Sequence, residues 1–289
     1  MQFNSIKTRK RLYLPFNILV LTVSALSSSN ALAVTVTLGA SKVSTIFENQ
    51  PDNSIGKGPA VFVGGDASGS PRRGMIDFNI AANIPVDAII TSAQLTLYLA
   101  DVAGTGASED STPRTIELHR LTSNWAHGPT AINVTTIAGI DQGFPAIPPS
   151  PTWNERRFQQ NQPWTTPGGD FNPVISASKD VGQTINAAYV WASTPALVAD
   201  VQAMLTTPSI NSGWLLQNSD EWSVDSYRVF YTQVWSDTTL RPQLLLSYEL
   251  QPVPVPAAVW LFGGGLLGLA GTMRRRAGVF AGTNSEMNP

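Results

Sequence analysis

Apolar side chains in the middle of this chain recur at every second position, and that period constrains the fold more than any other feature. Ala93, Leu95, Leu97 and Leu99 alternate with Gln94, Thr96 and Tyr98. Ile76, Phe78 and Ile80 alternate with Asp77 and Asn79, and Leu244, Leu246 and Tyr248 with Leu245 and Ser247. Successive side chains of a strand point to opposite faces, so each run buries one face. Further strands are expected at Ile116 to Leu121, Gly213 to Asn218 and Arg228 to Thr232, separated by turns rich in Gly, Pro and Asp. Short, half-buried strands of this kind suggest two stacked antiparallel sheets, an all-β sandwich of jelly-roll type. One stretch has a helical period instead. Thr194 and Pro195 open it, Leu197, Val198, Val201 and Leu205 share one face, and Thr207-Pro208 ends it, so one short helix is expected to pack on the sandwich. The proline-rich segment from Thr122 to Val174 shows no long alternation and is expected to lie as loops over one end of the sandwich.

The two ends read as targeting devices flanking this domain. Residues 1–33 have a basic start from Lys7 to Arg11, a mostly apolar stretch from Leu12 to Leu26, and small residues at Ala31 and Ala33, the pattern of a cleaved secretory signal. The sandwich is expected over residues 34–250 and a proline-rich linker over 251–256. An apolar membrane segment over 257–273 and a basic cytoplasmic tail over 274–289 follow. An α-helix of the length 257–273 reaches roughly 25 Å, near the short limit for a bilayer core of about 30 Å. Arg274, Arg275 and Arg276 favour the cytoplasmic side and Trp260 the opposite interface, which leaves the body outside.

Between the ends, 11 basic residues face 19 acidic ones, a net of −8, and a surface of that sign repels phosphate backbones, so nucleic acid is not an expected partner. The absence of cysteine excludes disulfides, thiol catalysis and thiolate metal sites. No HExxH, G-x-S-x-G, Walker or EF-hand pattern is present. His119 falls in an expected strand, where a structural role is favoured, and His127 in a turn read as surface. Gly64 to Gly69 reads as a hairpin turn rather than a phosphate cradle. Arg72 and Arg73 open a strand and are expected to pair with acidic neighbours. No catalytic residue, metal ligand or cofactor is assigned. Asp220, Glu221 and Asp225 are the carboxylates that could join a calcium site.

Trp153, Phe158 and Trp164 in the irregular segment, beside Arg156, Arg157 and Asp170, give the candidate ligand site. A sugar is held by flat rings against its C–H face and by polar groups at its hydroxyls. The competing reading is that these rings plug the open end of the sandwich.

Two resemblances extend this reading. Val253-Pro254-Val255-Pro256, then Ala257 to Gly263, Leu266-Leu267-Gly268 and the three arginines, resembles the PEP-CTERM sorting signal of Gram-negative bacteria. That resemblance implies export by the Sec machinery, transient anchoring in the inner membrane, and removal of the tag near the proline motif by an exosortase-type protease, often beside exopolysaccharide biosynthesis. The core resembles the DNRLRE-domain proteins, sometimes classed with carbohydrate-binding modules. It does so through Thr45-Ile46-Phe47-Glu48, Phe62-Val63-Gly64, Arg72 to Phe78, Ile90 to Leu97, Leu118 to Thr122, Trp164 to Phe171, Gly213 to Leu216 and Arg241-Pro242. This resemblance implies a jelly-roll-like sandwich with a binding or matrix role outside the cell and no catalytic residues. The expectation is therefore an exported, exosortase-sorted matrix or cell-surface protein that contacts exopolysaccharide. A purely structural or adhesive surface protein is the rival, and an envelope hydrolase using a carboxylate pair is the third reading.

Overall fold

A computed structural model describes residues 33–250. Ala31, the motif Val253 to Pro256, the apolar segment with Trp260, and Arg274 to Arg276 lie outside the described residues, as does most of the leader. Among the described residues no helix is long and apolar enough to cross a membrane.

The chain runs β1 (Ala33–Gly39), β2 (Lys42–Phe47), β3 (Asn53–Ser54), β4 (Ala60–Gly65), β5 (Pro71–Asp77), β6 (Ala88–Val102), β7 (Arg114–Leu121), β8 (Phe144–Pro145), β9 (Glu155–Arg157), β10 (Gln162–Pro163), β11 (Phe171–Val181), β12 (Ala188–Trp191), α1 (Pro195–Thr206), β13 (Trp214–Asn218), β14 (Arg228–Tyr231) and β15 (Gln243–Leu250). All pairings among these strands are antiparallel. The architecture is an all-β, sandwich-like one with a single α-helix among the described residues.

One layer is β1-β15-β6, with β12 on the other edge of β6, since Leu95 pairs with both Leu244 and Trp191. The other layer is β2-β5-β13-β7-β11. The layers join at a corner, where β4 pairs with β14, itself continued onto β6, and turns through a hairpin into β5. Leu95, Leu97, Leu244 and Leu246 from the first layer meet Ile76, Leu118, Trp214 and Leu216 from the second in one buried core.

Strand β6 shows how the alternation is kept. Its buried positions step from Ile90 to Ala93 rather than to Ser92, because a bulge shifts the register where Ser247 and Tyr248 face it. Backbone groups around the bulge find side-chain partners, the Ile90 N–H donating to Gln202 Oε1 at 2.8 Å and the Ala93 N–H to Ser193 Oγ at 3.1 Å. Gln202 belongs to α1, which starts where the sequence places it. The Thr194 side chain accepts from the Leu197 N–H, Pro195 fills the first turn, and Leu197, Val201, Met204 and Leu205 enter the core.

The second layer is buried on its outer face as well. Ile46, Met75, Leu121 and Leu215 point away from the inter-layer core and pack against Trp125, Trp153 and Trp164. At the corner, Phe62 and Val229 turn outward against Phe47, Ile55 and Ile140. The segment expected over one end of the sandwich therefore lies across the outer face of a sheet. The physical reason is in the strands themselves. Val61-Phe62-Val63, Met75-Ile76 and Leu215-Leu216 are consecutive buried residues, so both faces need cover. Removing one aromatic ring from water takes away about 150–250 Å² of surface. At about 25 cal/mol per Å² this contributes up to about 4–6 kcal/mol per ring. Asp77, expected on an exposed face, is for the same reason buried, held by Lys42 Nζ at 3.3 Å. Strand β5 ends at Asp77, and Phe78 and Ile80 enter the core from the turn that follows.

Candidate functional site

The hairpin from β4 to β5 fixes the first functional side chain. Asp66 pins the turn: its Oδ1 accepts from the Ser68 N–H at 2.8 Å, the Ser68 hydroxyl at 2.7 Å and the Ser70 N–H at 2.9 Å. Burial pushes the Asp66 carboxyl up, but the bonds from Ser68 and Ser70 and the Arg72 guanidinium, 3.2 Å away, hold it far below the usual carboxylate range. The chain then leaves Arg73 on the outer face of β5, the same face as Met75. Its guanidinium lies 4.9 Å from the Trp153 ring centre and 5.5 Å from that of Phe171. Nε and Nη2 donate to the two oxygens of Glu221 at 2.9 and 2.7 Å, and Nη1 donates to the Gly168 carbonyl at 2.8 Å. Residue 168 must be glycine for this approach: its φ is +91°, and a Cβ there would sit 2.6 Å from Arg73 Nη1 and 2.8 Å from Trp153.

An open cavity of about 540 Å³ lies over this arginine, lined among others by Ser123, Thr165, Thr166, Asp170 and Phe171. Asp170 organises its wall. Oδ2 accepts from the Ser123 hydroxyl at 2.8 Å and the Thr165 N–H at 3.1 Å, and Oδ1 from the Thr166 N–H at 3.1 Å. Burial raises the Asp170 pKa, but the hydrogen bonds from Thr165, Ser123 and Thr166 outweigh it and keep the carboxyl below its ordinary value. The cavity thus combines a half-buried aromatic ring, a cation, a carboxylate and several hydroxyls, a lining suited to a neutral, hydroxyl-rich ligand.

Of the residues expected to bind a ligand, Asp170 lines this cavity. Trp153 and Trp164 are 9% and 4% exposed and belong to the outer-face core, where the Trp164 Nε1–H donates to the Thr152 carbonyl at 2.9 Å. They support the site from behind and present no open ring, which corrects their reading as stacking platforms. Arg156 and Arg157 lie on the β9–β10 hairpin. Arg156 donates to the Asn124 carbonyl at 3.0 Å, and neither arginine lines the cavity. Phe171, Ser123, Thr165 and Thr166 are the side chains that the sequence reading did not single out. Their signal is the turn Thr165-Thr166-Pro167-Gly168-Gly169-Asp170, in which an Asp closes a Gly-Gly pair and accepts from the backbone of both threonines.

The remaining polar candidates have structural partners. Arg72 and Arg73 pair with Asp66 and Glu221, as their place at a strand start suggests. Both oxygens of Glu221 are taken by Arg73, so Glu221 does not join Asp220 and Asp225 as a free ligand set. Among the described residues no three acidic or histidine side chains come together as a metal site. His119 is buried in β7, its ring nitrogens 3.1 Å from the Asn172 carbonyl and 3.3 Å from Glu117 Oε2. His127, expected at the surface, is half-buried instead, with Nε2–H donating to the Gly56 carbonyl at 2.8 Å. The loop carrying it is drawn inward by Trp125 and Ala126, which are both buried. Burial lowers the His127 pKa, the Gly56 carbonyl works against this, and Lys57 and Lys42 add to it.

No protein-family model matches the chain, and no curated protein matches it.

Proposed function

We propose that this chain is an exported matrix or cell-surface protein whose sandwich, of jelly-roll type, contacts polysaccharide in the cavity over Arg73. The cavity carries the reading: an aromatic ring with hydroxyl, carboxylate and guanidinium groups around one open depression is the lining that holds a sugar's C–H face and its hydroxyls together. The sequence supplies the route. A leader ending at Ala33 directs export, the apolar segment and Arg274 to Arg276 anchor the precursor in the inner membrane, and an exosortase-type protease releases it at the Val253 to Pro256 motif. The resemblances to DNRLRE-domain proteins and to the PEP-CTERM signal support the same assignment. A glycosidase would need two facing carboxylates about 5 to 10 Å apart. Among the described residues the only carboxylate lining this cavity is Asp170, and both of its oxygens already accept hydrogen bonds.

Binding of the purified protein to a glycan array and to its producer's exopolysaccharide tests the proposal. Retention is expected, with at least a tenfold loss in Phe171→Ala. Full binding by Phe171→Ala would move the site elsewhere. No retention of any polysaccharide by the unaltered protein would leave the structural or adhesive role, a reading favoured by the internal engagement of Arg73 with Glu221 and Gly168.

A further inference from the structure

A sheet edge presents unpaired backbone N–H and C=O groups to any extended strand, and stable proteins guard such edges with short strands, prolines, charges or bulges. In the large sheet system β1, β8, β11 and β12 each pair on one side only, among the described residues. Three of these edges are guarded. β8 has two residues and ends in Pro145, and β12 has four residues. β11 is long but carries Pro173, Lys179 and Asp180, and its register with β7 shifts between Phe171 and Ile175 and again between Ile175 and Ala177.

β1 has none of these guards. Its seven residues, Ala33-Val34-Thr35-Val36-Thr37-Leu38-Gly39, contain no charge and no proline, and they pair with β15 in unbroken register from Ala33↔Glu249 to Gly39↔Gln243. The β-branched residues Val34, Thr35, Val36 and Thr37 suit an extended backbone. Thr35 and Thr37 are exposed, and the residues paired with them on the same face, Ser247 and Leu245, are also uncharged. A domain with a net charge of −8 repels its own copies over most of its surface, and the middle of this strip, Thr35 to Thr37 beside Ser247 and Leu245, carries no charge.

We infer that β1 is an association edge whose occupant is β1 of a second copy. A β1-to-β11 contact between copies would be head-to-tail and open-ended, and Pro173 with the two register shifts blocks it. β1 against β1 is self-complementary and closes as a two-fold dimer. The two strands run antiparallel with Val36 opposite Val36 of the second copy, which pairs Val34 through Leu38, all of them kept when a leader ending at Ala33 is removed. Thr35 then faces Thr37 of the second copy on the polar side, and Val34 faces its Leu38 on the side that already holds a buried Leu38. The pair joins two β1-β15-β6 layers into one continuous sheet.

The chain has no cysteine, so introduced thiols report the contact without background. Full-chain Thr35→Cys mixed with full-chain Thr37→Cys is expected to give a disulfide-linked dimer under mild oxidation, while Ile175→Cys on β11, also at an exposed position, is not. Crosslinking is position-specific, so association through another segment does not imitate it. The double variant Thr35→Lys, Thr37→Lys sets like charges opposite each other and should weaken the dimer at least tenfold in sedimentation equilibrium, with unchanged melting. The inference is overturned by two results, a monomer under these conditions or a dimer that the lysines leave intact. If the monomer's β1 amides also resist hydrogen exchange, the edge is assigned instead to a segment of this chain outside residues 33–250.

Discussion

The two layers share one core and differ on their outer faces. On β6 and β15 the outward positions are Gln94, Thr96, Ser247 and Leu245, and even Leu245 is 37% exposed. On β5 and β13 the outward apolar positions are Met75 and Leu215, with no exposed surface at all. The first layer meets water and reads as clean alternation. The second is covered by the segment that carries Trp125, Trp153 and Trp164, so its strands read as consecutive apolar residues. The difference teaches where an irregular stretch gets its aromatics: in this molecule they are the second face of a sheet's packing, and ligand-facing groups are left to the smaller side chains around them.

The largest expected effect falls on what the layers share. Trp214 is buried between them, edge-on to Phe78 with ring centres 6.4 Å apart, and its Nε1–H reaches Asp200 Oδ2 at 3.4 Å. Truncating a large core aromatic costs about 3–5 kcal/mol. That is a large part of a domain's margin of about 5–15 kcal/mol. Trp214→Ala should therefore give little soluble protein and a strongly lowered melting temperature. Near-normal melting would mean that the two layers do not depend on this ring.

A matched pair of leucines tests the difference itself. Leu215→Ala empties a site on the covered face and should cost about 2–4 kcal/mol. Leu245→Ala removes an outward side chain of the other layer and should stay within about 0.5 kcal/mol. Chemical denaturation of both variants decides it. Equal losses would show that the outer face of the first layer is covered too.

The alternating runs made the first layer legible, and the Thr-Pro start made α1 legible, because in both cases the period or the cap is local. The second layer was only half legible. Met75-Ile76 and Leu215-Leu216 show that two faces want burial, but nothing in either strand says which distant segment supplies the cover. The candidate site was less legible still. Trp153 and Trp164 carry the composition of a sugar platform, yet their rings are turned inward. Arg73 and Phe171 come together only because β5 and β11 sit in one layer with Gly168 between them. Asp170 is singled out by its place beside the aromatics of the irregular segment, and the turn it closes, from Thr165 to Asp170, is the local signal for the threonines around it.

Asp170 also links the covering segment to pH. Its folded pKa is depressed, so its stabilisation is fully present above the ordinary carboxylate range and is lost as pH falls through the folded value. Asp170→Asn keeps the size and gives up one charged acceptor. It should lower stability at neutral pH by about 1–2 kcal/mol. The gap from the unaltered protein should then narrow below about pH 4, where the carboxylate is increasingly protonated. A constant gap from neutral to acid pH, followed by thermal melting, would show that the charge on Asp170 contributes nothing and that its shape alone holds the turn.

The smallest effect is expected at His127, where the covering segment hands its Nε2–H to Gly56. The folded protein holds this imidazole neutral at pH values where the unfolded chain would protonate it, because burial and the lysines at 57 and 42 lower its pKa from 6.5. The unfolded state therefore binds the extra proton first, and stability must fall as pH drops through 6.5, levelling once the folded histidine is protonated too. His127→Asn retains a donor for Gly56 and removes the titration. Its melting temperature should change less than that of the unaltered protein between about pH 7.5 and 5, a window around the ordinary histidine range. Leu245→Ala, on the layer without a covering segment, should leave the slope of the unaltered protein intact. If His127→Asn follows the same slope as the unaltered protein, the acid sensitivity does not arise where the loops cross the second layer.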